Sequence, residues 1–180
     1  MSNLLPQSNL LQDDGKLNTD PLQQLRLRLD PDIRAMLPIS QIAEVLQLKL
    51  GQVTPIPQMP AWVMGVYNWR GDILWMVDLG QLLGLDSWYQ HASHRATHTA
   101  IVLAPYRQDK KSERQIYLGL MVAEVEDLEL CQPEEIQAQS GEPNAQLSRF
   151  LQGYWLQPSG TMVLALDGLA IAKAMPTVSY

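Results

Sequence analysis

Residues 56–79 read IPQMPAWVMGVYNWRGDILWMVDL, and this stretch decides the fold. Residues 66–69 and 73–77 are mostly apolar or aromatic, which is typical of β-strands. Between them, Arg70-Gly71-Asp72 favours a tight hairpin, because Gly71 can take the positive φ that such a turn requires. Asp78 ends the second strand and can cap a short helix that follows it. The stretch therefore predicts a β-hairpin that leads into a capped helix.

Short strands separated by turn residues continue on both sides of this hairpin. Residues 25–29 alternate leucine with arginine, the pattern of a strand with one face in water. Further strands are predicted at residues 33–37, 98–104, 116–122, 125–130, 151–156 and 162–166. Apolar residues recur at helical spacing over residues 39–46, so a short helix with Ser40 as its N-cap is predicted there. Many short strands with Gly/Pro turns favour an all-β barrel architecture with a few short helices.

One pattern occurs twice in the chain. Residues 75–79 and residues 164–168 each end a strand at an aspartate that precedes a short helix. This echo predicts two similar barrels, the first over roughly residues 21–90 and the second over roughly residues 98–175, with some exchange of strands between them. The polar residues 86–97 are expected to link the two.

Composition limits the class of partner and the compartment. The 180 residues include 19 acidic and 13 basic residues, for a net charge of −6. This balance argues against nucleic acid, whose binding requires phosphate neutralisation by Lys and Arg. Residues 1–20 lack the basic and apolar regions of a signal peptide and are expected to form a flexible arm. No apolar stretch approaches the ~20 residues that span a bilayer, so a cytoplasmic protein without membrane insertion is predicted.

Motifs of catalysis and ligand binding are missing from the sequence. It contains no phosphate-binding glycine loop, no nucleophile elbow and no HExxH zinc motif. His91, His94 and His98 would share one face of a helix and form a feasible metal site, but His98 falls where a strand is predicted. Asp78 and Asp167 fit helix caps better than an acid–base pair. We therefore expect no active site, no metal and no cofactor.

Arg70 stands out because its neighbours are apolar or aromatic. Trp69 precedes it, and Ile73 and Trp75 follow. An arginine at a hairpin tip beside exposed aromatic residues is typical of a protein–protein interface. The alternative is an arginine that only lies over Trp69 in a cation–π contact. The residues alone do not decide between these two interpretations.

Residues 56–79 closely resemble the signature of the CheW-like family, roughly G-V-x-N-x-R-G-x-I-L-P-V-x-D-L after a proline-flanked turn. The resemblance extends over roughly residues 22–175. The other family motifs are matched at residues 37–45, 119–125 and 151–167. A CheW-like domain over residues 21–180 implies two five-stranded SH3-like β-barrels around a shared core, with no cofactor and no active site.

Members of this family link chemoreceptor-type proteins to a kinase. The resemblance therefore implies an adaptor with two kinds of partner: a CheA-like histidine kinase, and a methyl-accepting chemoreceptor or photoreceptor homologue. The positions that match the family's partner-binding surface are Ile42, Glu44, Gly65 and Arg70. Trp69 and Trp75 replace the family's usual Leu and Pro and could enlarge an aromatic patch at this surface.

The variant I-L-W-M-V-D-L at residues 73–79 resembles cyanobacterial members of the family, which serve phototaxis and pilus-driven motility. Two alternatives from other function classes stay open. One is a small metal-dependent enzyme that uses His91, His94 and His98. The other is an oligonucleotide-binding β-barrel, which needs a basic groove that the acidic balance opposes.

Overall fold

A computed structural model describes residues 21–91, 95–107, 115–138 and 144–176, without the side chains of residues 90 and 91. Its strands are β1 (Leu22–Arg28), β2 (Arg34–Pro38), β3 (Ile42–Leu48), β4 (Val63–Trp69), β5 (Asp72–Asp78), β6 (His98–Leu103), β7 (Tyr117–Val122), β8 (Glu124–Cys131), β9 (Ile136–Gln137), β10 (Leu151–Leu156) and β11 (Met162–Leu166). Its α-helices are α1 (Leu79–Leu82), α2 (Trp88–His91), α3 (Ala145–Ser148) and α4 (Gly168–Lys173). None of these helices is long and apolar enough to cross a bilayer.

The strands form two mixed sheets, which confirms the predicted all-β class. Sheet I has the order β8-β1-β2-β11-β10-β9, and sheet II has the order β3-β6-β7-β5-β4. The chain begins in sheet I, builds the whole of sheet II, and then returns to complete sheet I. Each sheet therefore combines strands from both sides of residue 90, so strands are exchanged between the two halves of the chain. The reason is that β2 pairs in parallel with β11, which joins the first strands of the chain to the last.

The two sheets repeat one arrangement. In each sheet, apart from β9, an edge strand pairs antiparallel with a second strand, which pairs antiparallel with a third. The third strand pairs in parallel with the second strand of a hairpin. The register also shifts at matching places, once in the edge pairing and once in the hairpin. Following this register, β3 is equivalent to β8, and the β4–β5 hairpin is equivalent to the β10–β11 hairpin. The echo in the sequence thus reflects a repeated sheet.

The two aspartates of the echo cap helices, as predicted. Asp78 Oδ1 accepts a hydrogen bond from the Gln81 backbone N–H at 3.1 Å, at the start of α1. Asp167 Oδ1 accepts one from the Leu169 backbone N–H at 2.9 Å, at the start of α4. Each carboxylate satisfies helix donors that would otherwise lack a partner.

A shared core joins the two sheets. Leu25 and Leu27 of sheet I are buried in the same cluster as Ile101 and Leu120 of sheet II. On its other face each sheet encloses a smaller cluster: Leu74, Met76, Ala100, Val102 and Met121 in sheet II, and Met36, Cys131, Trp155, Val163 and Ala165 in sheet I. Each sheet therefore closes around its own interior cluster, and the outer faces of the two sheets pack against each other. This is the predicted pair of SH3-like barrels around a shared core.

The helix predicted over residues 39–46 is wrong. The chain makes a single 3-10 turn at Ile39–Gln41, and Ser40 does not cap it. From Ile42 onward it forms β3, in which half-buried residues alternate with exposed ones. The apolar residues fit either period, and backbone pairing with β6 along the whole strand selects the extended one.

The linker predicted over residues 86–97 is only partly a linker. Residues 88–91 form α2, and Trp88 is 1% exposed inside the cluster of sheet II. This tryptophan of a polar segment is buried because it packs with the apolar residues inside sheet II. Residues 92–94, residues 108–114 and the predicted arm at residues 1–20 lie outside the described residues.

Candidate docking site

The β4–β5 hairpin places Arg70 at its tip. Arg70 has φ 55° and Gly71 has φ 91°, the two positive values of a type I′ turn. Asn68 Oδ1 accepts a hydrogen bond of 3.1 Å from the Gly71 backbone N–H and supports the turn. A positive φ is uncommon for a residue with a side chain. The turn leaves the Arg70 side chain 70% exposed.

Glu44 connects this hairpin to the far edge of the sheet. Its Oε2 accepts hydrogen bonds from the Arg70 guanidinium at 2.8 Å and from Trp69 Nε1 at 3.1 Å. Because β3 and β4 are the two edge strands of sheet II, these bonds bridge the seam at which the sheet closes into a barrel. We call Glu44, Trp69 and Arg70 the seam cluster.

The seam cluster contains the cation–π contact and leaves Arg70 exposed. Its guanidinium carbon lies 5.1 Å from the centre of the Trp69 ring, so the cation–π contact is present. The Trp69 ring in turn packs 5.3 Å from the Tyr117 ring and borders the interior of sheet II. Arg70 is nevertheless largely exposed. The cluster thus presents an oriented guanidinium, a group that pairs well with carboxylates and aromatic faces.

Two other candidate positions, Ile42 and Trp75, pack against the shared core. Ile42 begins β3 and is half-buried against the shared core. Trp75 is also half-buried against the shared core, whereas its neighbours Leu74 and Met76 point into sheet II. Trp69 and Trp75 therefore lie on opposite faces of sheet II and do not form one aromatic patch.

Gly65 is buried and has a backbone role. Its φ is 142°, and a Cβ at this position would overlap the carbonyl group of Thr54. Thr54 and Val66 exchange two backbone hydrogen bonds of 2.8 and 2.9 Å, which hold the Thr54 backbone against the glycine. Gly65 thus permits the packing beneath the hairpin and presents no side chain to a partner.

Two exposed apolar residues near the cluster were not selected from the sequence as site residues. Ile73 follows the hairpin turn and is 58% exposed, and Val45 follows Glu44 and is 41% exposed. Apolar residues around an arginine and a tryptophan are typical of the centre of a protein–protein interface. Ile73 begins a predicted strand, whereas Val45 lies in the stretch that was predicted as a helix. The exposure of both residues depends on where the shared core stops.

A second surface feature lies where the two sheets meet. It is a shallow cleft of about 250 Å³ between the start of β3, the end of β6 and α4. Gln41 Oε1 accepts a 2.8 Å hydrogen bond from the Gly168 backbone N–H and ties α4 to the β3 turn. Leu103, Tyr106 and Leu169 give the cleft a mostly apolar lining.

The structure does not describe all three histidines. The side chain of His91 and the whole of His94 lie outside the described residues. His98 is buried at the start of β6, with its ring 4.8 Å from that of Trp88. Burial, helped by the charge of Arg95, lowers the pKa of His98. Across the described part of the chain, no three His, Cys, Asp or Glu residues are grouped to hold a metal.

Comparison with known proteins identifies the family. The model of the CheW-like domain matches residues 25–175. This chain belongs to the CheW-like family. One similar solved structure is the scaffolding protein TtCheW from Thermoanaerobacter tengcongensis, at 18% sequence identity, with 82% of this chain and 89% of that chain covered and a TM-score of 0.65. No curated protein matched the chain.

The family match also covers the candidate site. The seam cluster of this CheW-like domain, its flanking residues and the cleft all lie within residues 25–175. The likeness to TtCheW extends to the overall fold, and it supports the two-barrel description of the CheW-like chain.

Proposed function

We propose that this CheW-like protein is an adaptor that couples chemoreceptor-type proteins to a CheA-like histidine kinase by docking to both. Family membership supports the general role in chemotaxis, and TtCheW is itself a scaffolding protein. The observation that carries the docking role is the seam cluster, in which Glu44 and Trp69 hold an exposed Arg70. A guanidinium already held in one orientation loses less conformational freedom when a partner binds.

The seam cluster is the centre of the proposed docking surface. Ile42, Val45 and Ile73 add apolar area on the opposite face of the same strands, where Val45 and Ile73 are exposed. Gly65 and Trp75 contribute by holding the hairpin backbone and the strand behind it. An interface of ordinary size buries about 1,200–2,000 Å² in total, and modest affinity at one site can be raised by avidity in an array.

The narrower assignment concerns the stimulus and the compartment. Because residues 73–79 resemble cyanobacterial members of the family, the narrower proposal is a phototaxis or pilus-motility pathway, and the sequence does not distinguish it from a flagellar one. In either pathway the protein would act in the cytoplasm, at the membrane-distal ends of its receptors, without entering the membrane itself.

The test compares Arg70→Glu with Arg149→Glu. Arg149 is a matched control, because it is also exposed and its guanidinium lies 5.5 Å from the Phe150 ring, in the segment between α3 and β10. Binding of each purified variant to the kinase and the receptor tip from the same organism would be measured by calorimetry. We expect Arg70→Glu to weaken at least one of the two complexes about tenfold or more and Arg149→Glu to weaken neither. Full binding of both partners by Arg70→Glu would contradict the proposal.

A further inference from the structure

The two equivalent edge strands, β3 and β8, differ in the number of carboxylates they carry. Counted from the last residue before the register shift in each edge pairing, Glu44 of β3 is the equivalent of Asp127 of β8. In β8 a glutamate lies one residue before Asp127 and another lies two residues after it, whereas the matching residues of β3 are Ala43 and Leu46. Sheet II therefore has one carboxylate at a place where sheet I has three.

In sheet I the three carboxylates surround one arginine, Arg26 of β1. Glu126 and Glu129 each lie 2.6 Å from a guanidinium nitrogen, at Nε and Nη1 respectively. Asp127 lies 3.4 Å from the third nitrogen, Nη2. Every nitrogen of this guanidinium has an acidic partner, and the side chain is only 19% exposed. Sheet I thus neutralises this arginine with its own residues.

Arg70 in sheet II has only one of these three contacts. Glu44 Oε2 lies 2.8 Å from Nη2, the same nitrogen that the equivalent carboxylate contacts in sheet I. In the described part of the chain, Nε and Nη1 of Arg70 have no acceptor, and Asp72 on the other side of the turn makes no ion pair with them. These N–H groups are therefore unpaired on a side chain that is 70% exposed and is held in place by Glu44 and Trp69.

The two arginines are not equivalent by position, since Arg26 lies on a strand and Arg70 at a hairpin turn. They share the carboxylate of the edge strand, and they differ in what surrounds the remaining nitrogens. Arg26 also shows that one guanidinium in this protein accommodates three carboxylates. A second acidic group beside Arg70 is therefore compatible with Glu44.

We propose that the docked partner supplies an aspartate or glutamate side chain to the unpaired N–H groups of Arg70. This inference rests on the proposed docking role of the seam cluster and names the chemical group that the partner contributes. A carboxylate fits better than a neutral acceptor, because its two oxygens match the fork of N–H donors in a guanidinium. Hydrogen bonds between two charged groups are also about twice as strong as those between neutral groups.

The first experiment compares Arg70→Gln and Arg70→Lys, with Arg149→Gln as the matched control. Binding to the kinase and to the receptor tip from the same organism is measured by calorimetry. We expect Arg70→Gln to weaken one complex about tenfold or more, because its amide can serve a neutral acceptor but cannot neutralise a carboxylate. Arg70→Lys, which keeps the charge without the fork, should weaken it about threefold. Arg149→Gln should bind as the native protein does.

The same titrations at two salt concentrations examine the charge directly. Between about 0.05 and 0.5 M NaCl, the native complex should lose about threefold more affinity than the Arg70→Gln complex, because salt screens the interaction between exposed charges.

A charge exchange then identifies the acidic residue. Each surface aspartate and glutamate of the partner is changed to arginine, one at a time, and tested against Arg70→Glu. We expect one such change to restore binding at least about tenfold relative to Arg70→Glu with the native partner. The same change should weaken binding to the native chain, and it should give no gain with Arg149→Glu.

The outcomes separate this inference from the adaptor function on which it rests. Full binding of both partners by Arg70→Glu would overturn both. Weak binding by Arg70→Glu together with native-like binding by Arg70→Gln would overturn only the carboxylate, and would identify a neutral acceptor instead. Equal salt dependence of the native and Arg70→Gln complexes, or the failure of every acidic-to-arginine change to restore binding, would overturn it as well.

Discussion

Glu44 Oε2 lies 2.8 Å from a guanidinium nitrogen of Arg70, although β3 and β4 are the two edge strands of sheet II. A single carboxylate therefore both bridges the closure of the barrel and holds the exposed guanidinium in place. The same oxygen also accepts a hydrogen bond from Trp69 Nε1, so one carboxylate holds the guanidinium and the indole and links the two edge strands.

We predict that Glu44→Gln separates docking from stability. The amide can still accept a hydrogen bond from Trp69, but it no longer has the charge that holds Arg70. Since exposed ion pairs contribute only about 0–1 kcal/mol, the midpoint of thermal unfolding should change by only a few degrees. Calorimetry should show kinase or receptor binding weakened by about 3–10-fold. Glu134→Gln, at an exposed site elsewhere, is the control, and unchanged binding by Glu44→Gln would contradict the role of the seam cluster.

Gly65→Ala should destabilise the domain strongly. The new methyl group would overlap the Thr54 carbonyl group, and the φ of 142° is unfavourable for alanine. We expect a loss of about 2–4 kcal/mol in the free energy of unfolding, measured by urea denaturation. In Gly51→Ala nothing lies within 4 Å of the added carbon, and the change should stay within about 0.5 kcal/mol. Similar losses in the two variants would show that the close approach is not the cause.

The two capping aspartates should differ in their contribution to stability. Asp78 is 3% exposed and accepts hydrogen bonds from the Gln81 and Trp88 backbones and the Ser87 hydroxyl. Asp167 is less buried and serves only the first turn of α4. Asp78→Ala should therefore cost about 2–4 kcal/mol and Asp167→Ala about 1 kcal/mol in urea denaturation. An equal cost for both would mean that the bonds from Ser87 and Trp88 add nothing.

His98 should make stability depend on pH. Burial, with Arg95, lowers its pKa in the folded protein below the ordinary value of 6.5. Between the lowered value and 6.5, the unfolded chain binds more protons than the folded one, so stability rises with pH in this window. The stability is fully present above 6.5 and is lost as the pH falls below it. Urea unfolding from pH 5 to 7.5 should show a smaller slope for His98→Gln than for the native protein; identical slopes would contradict this origin.

The strands were predictable because most of them alternate or form short apolar runs between turn residues. β1, β5 and β11 were all located in this way. The error at β3 arose where the apolar residues fit both periods. In that case the deciding factor is pairing with β6, which lies some fifty residues further along the chain and leaves no local trace.

The candidate site was predictable only in part. Resemblance selected the positions of Glu44 and Arg70, and the sequence marked Arg70 as unusual among its neighbours. Their contact depends on barrel closure between residues 26 positions apart, which local patterns do not encode. The opposite orientations of Trp69 and Trp75 follow from the strand period, but which face meets the shared core depends on the other sheet.

The return of the chain to sheet I has a consequence for biosynthesis. Sheet II is complete once Val122 has left the ribosome, whereas β2 must wait for β11, more than a hundred residues later, to gain its parallel neighbour. Until then, the leucines of the shared core remain partly exposed, because the later strands of sheet I that pack against them have not been made. A nascent or truncated chain that stops before Met162 should therefore be a chaperone client, since late-forming long-range contacts leave apolar surface open to aggregation.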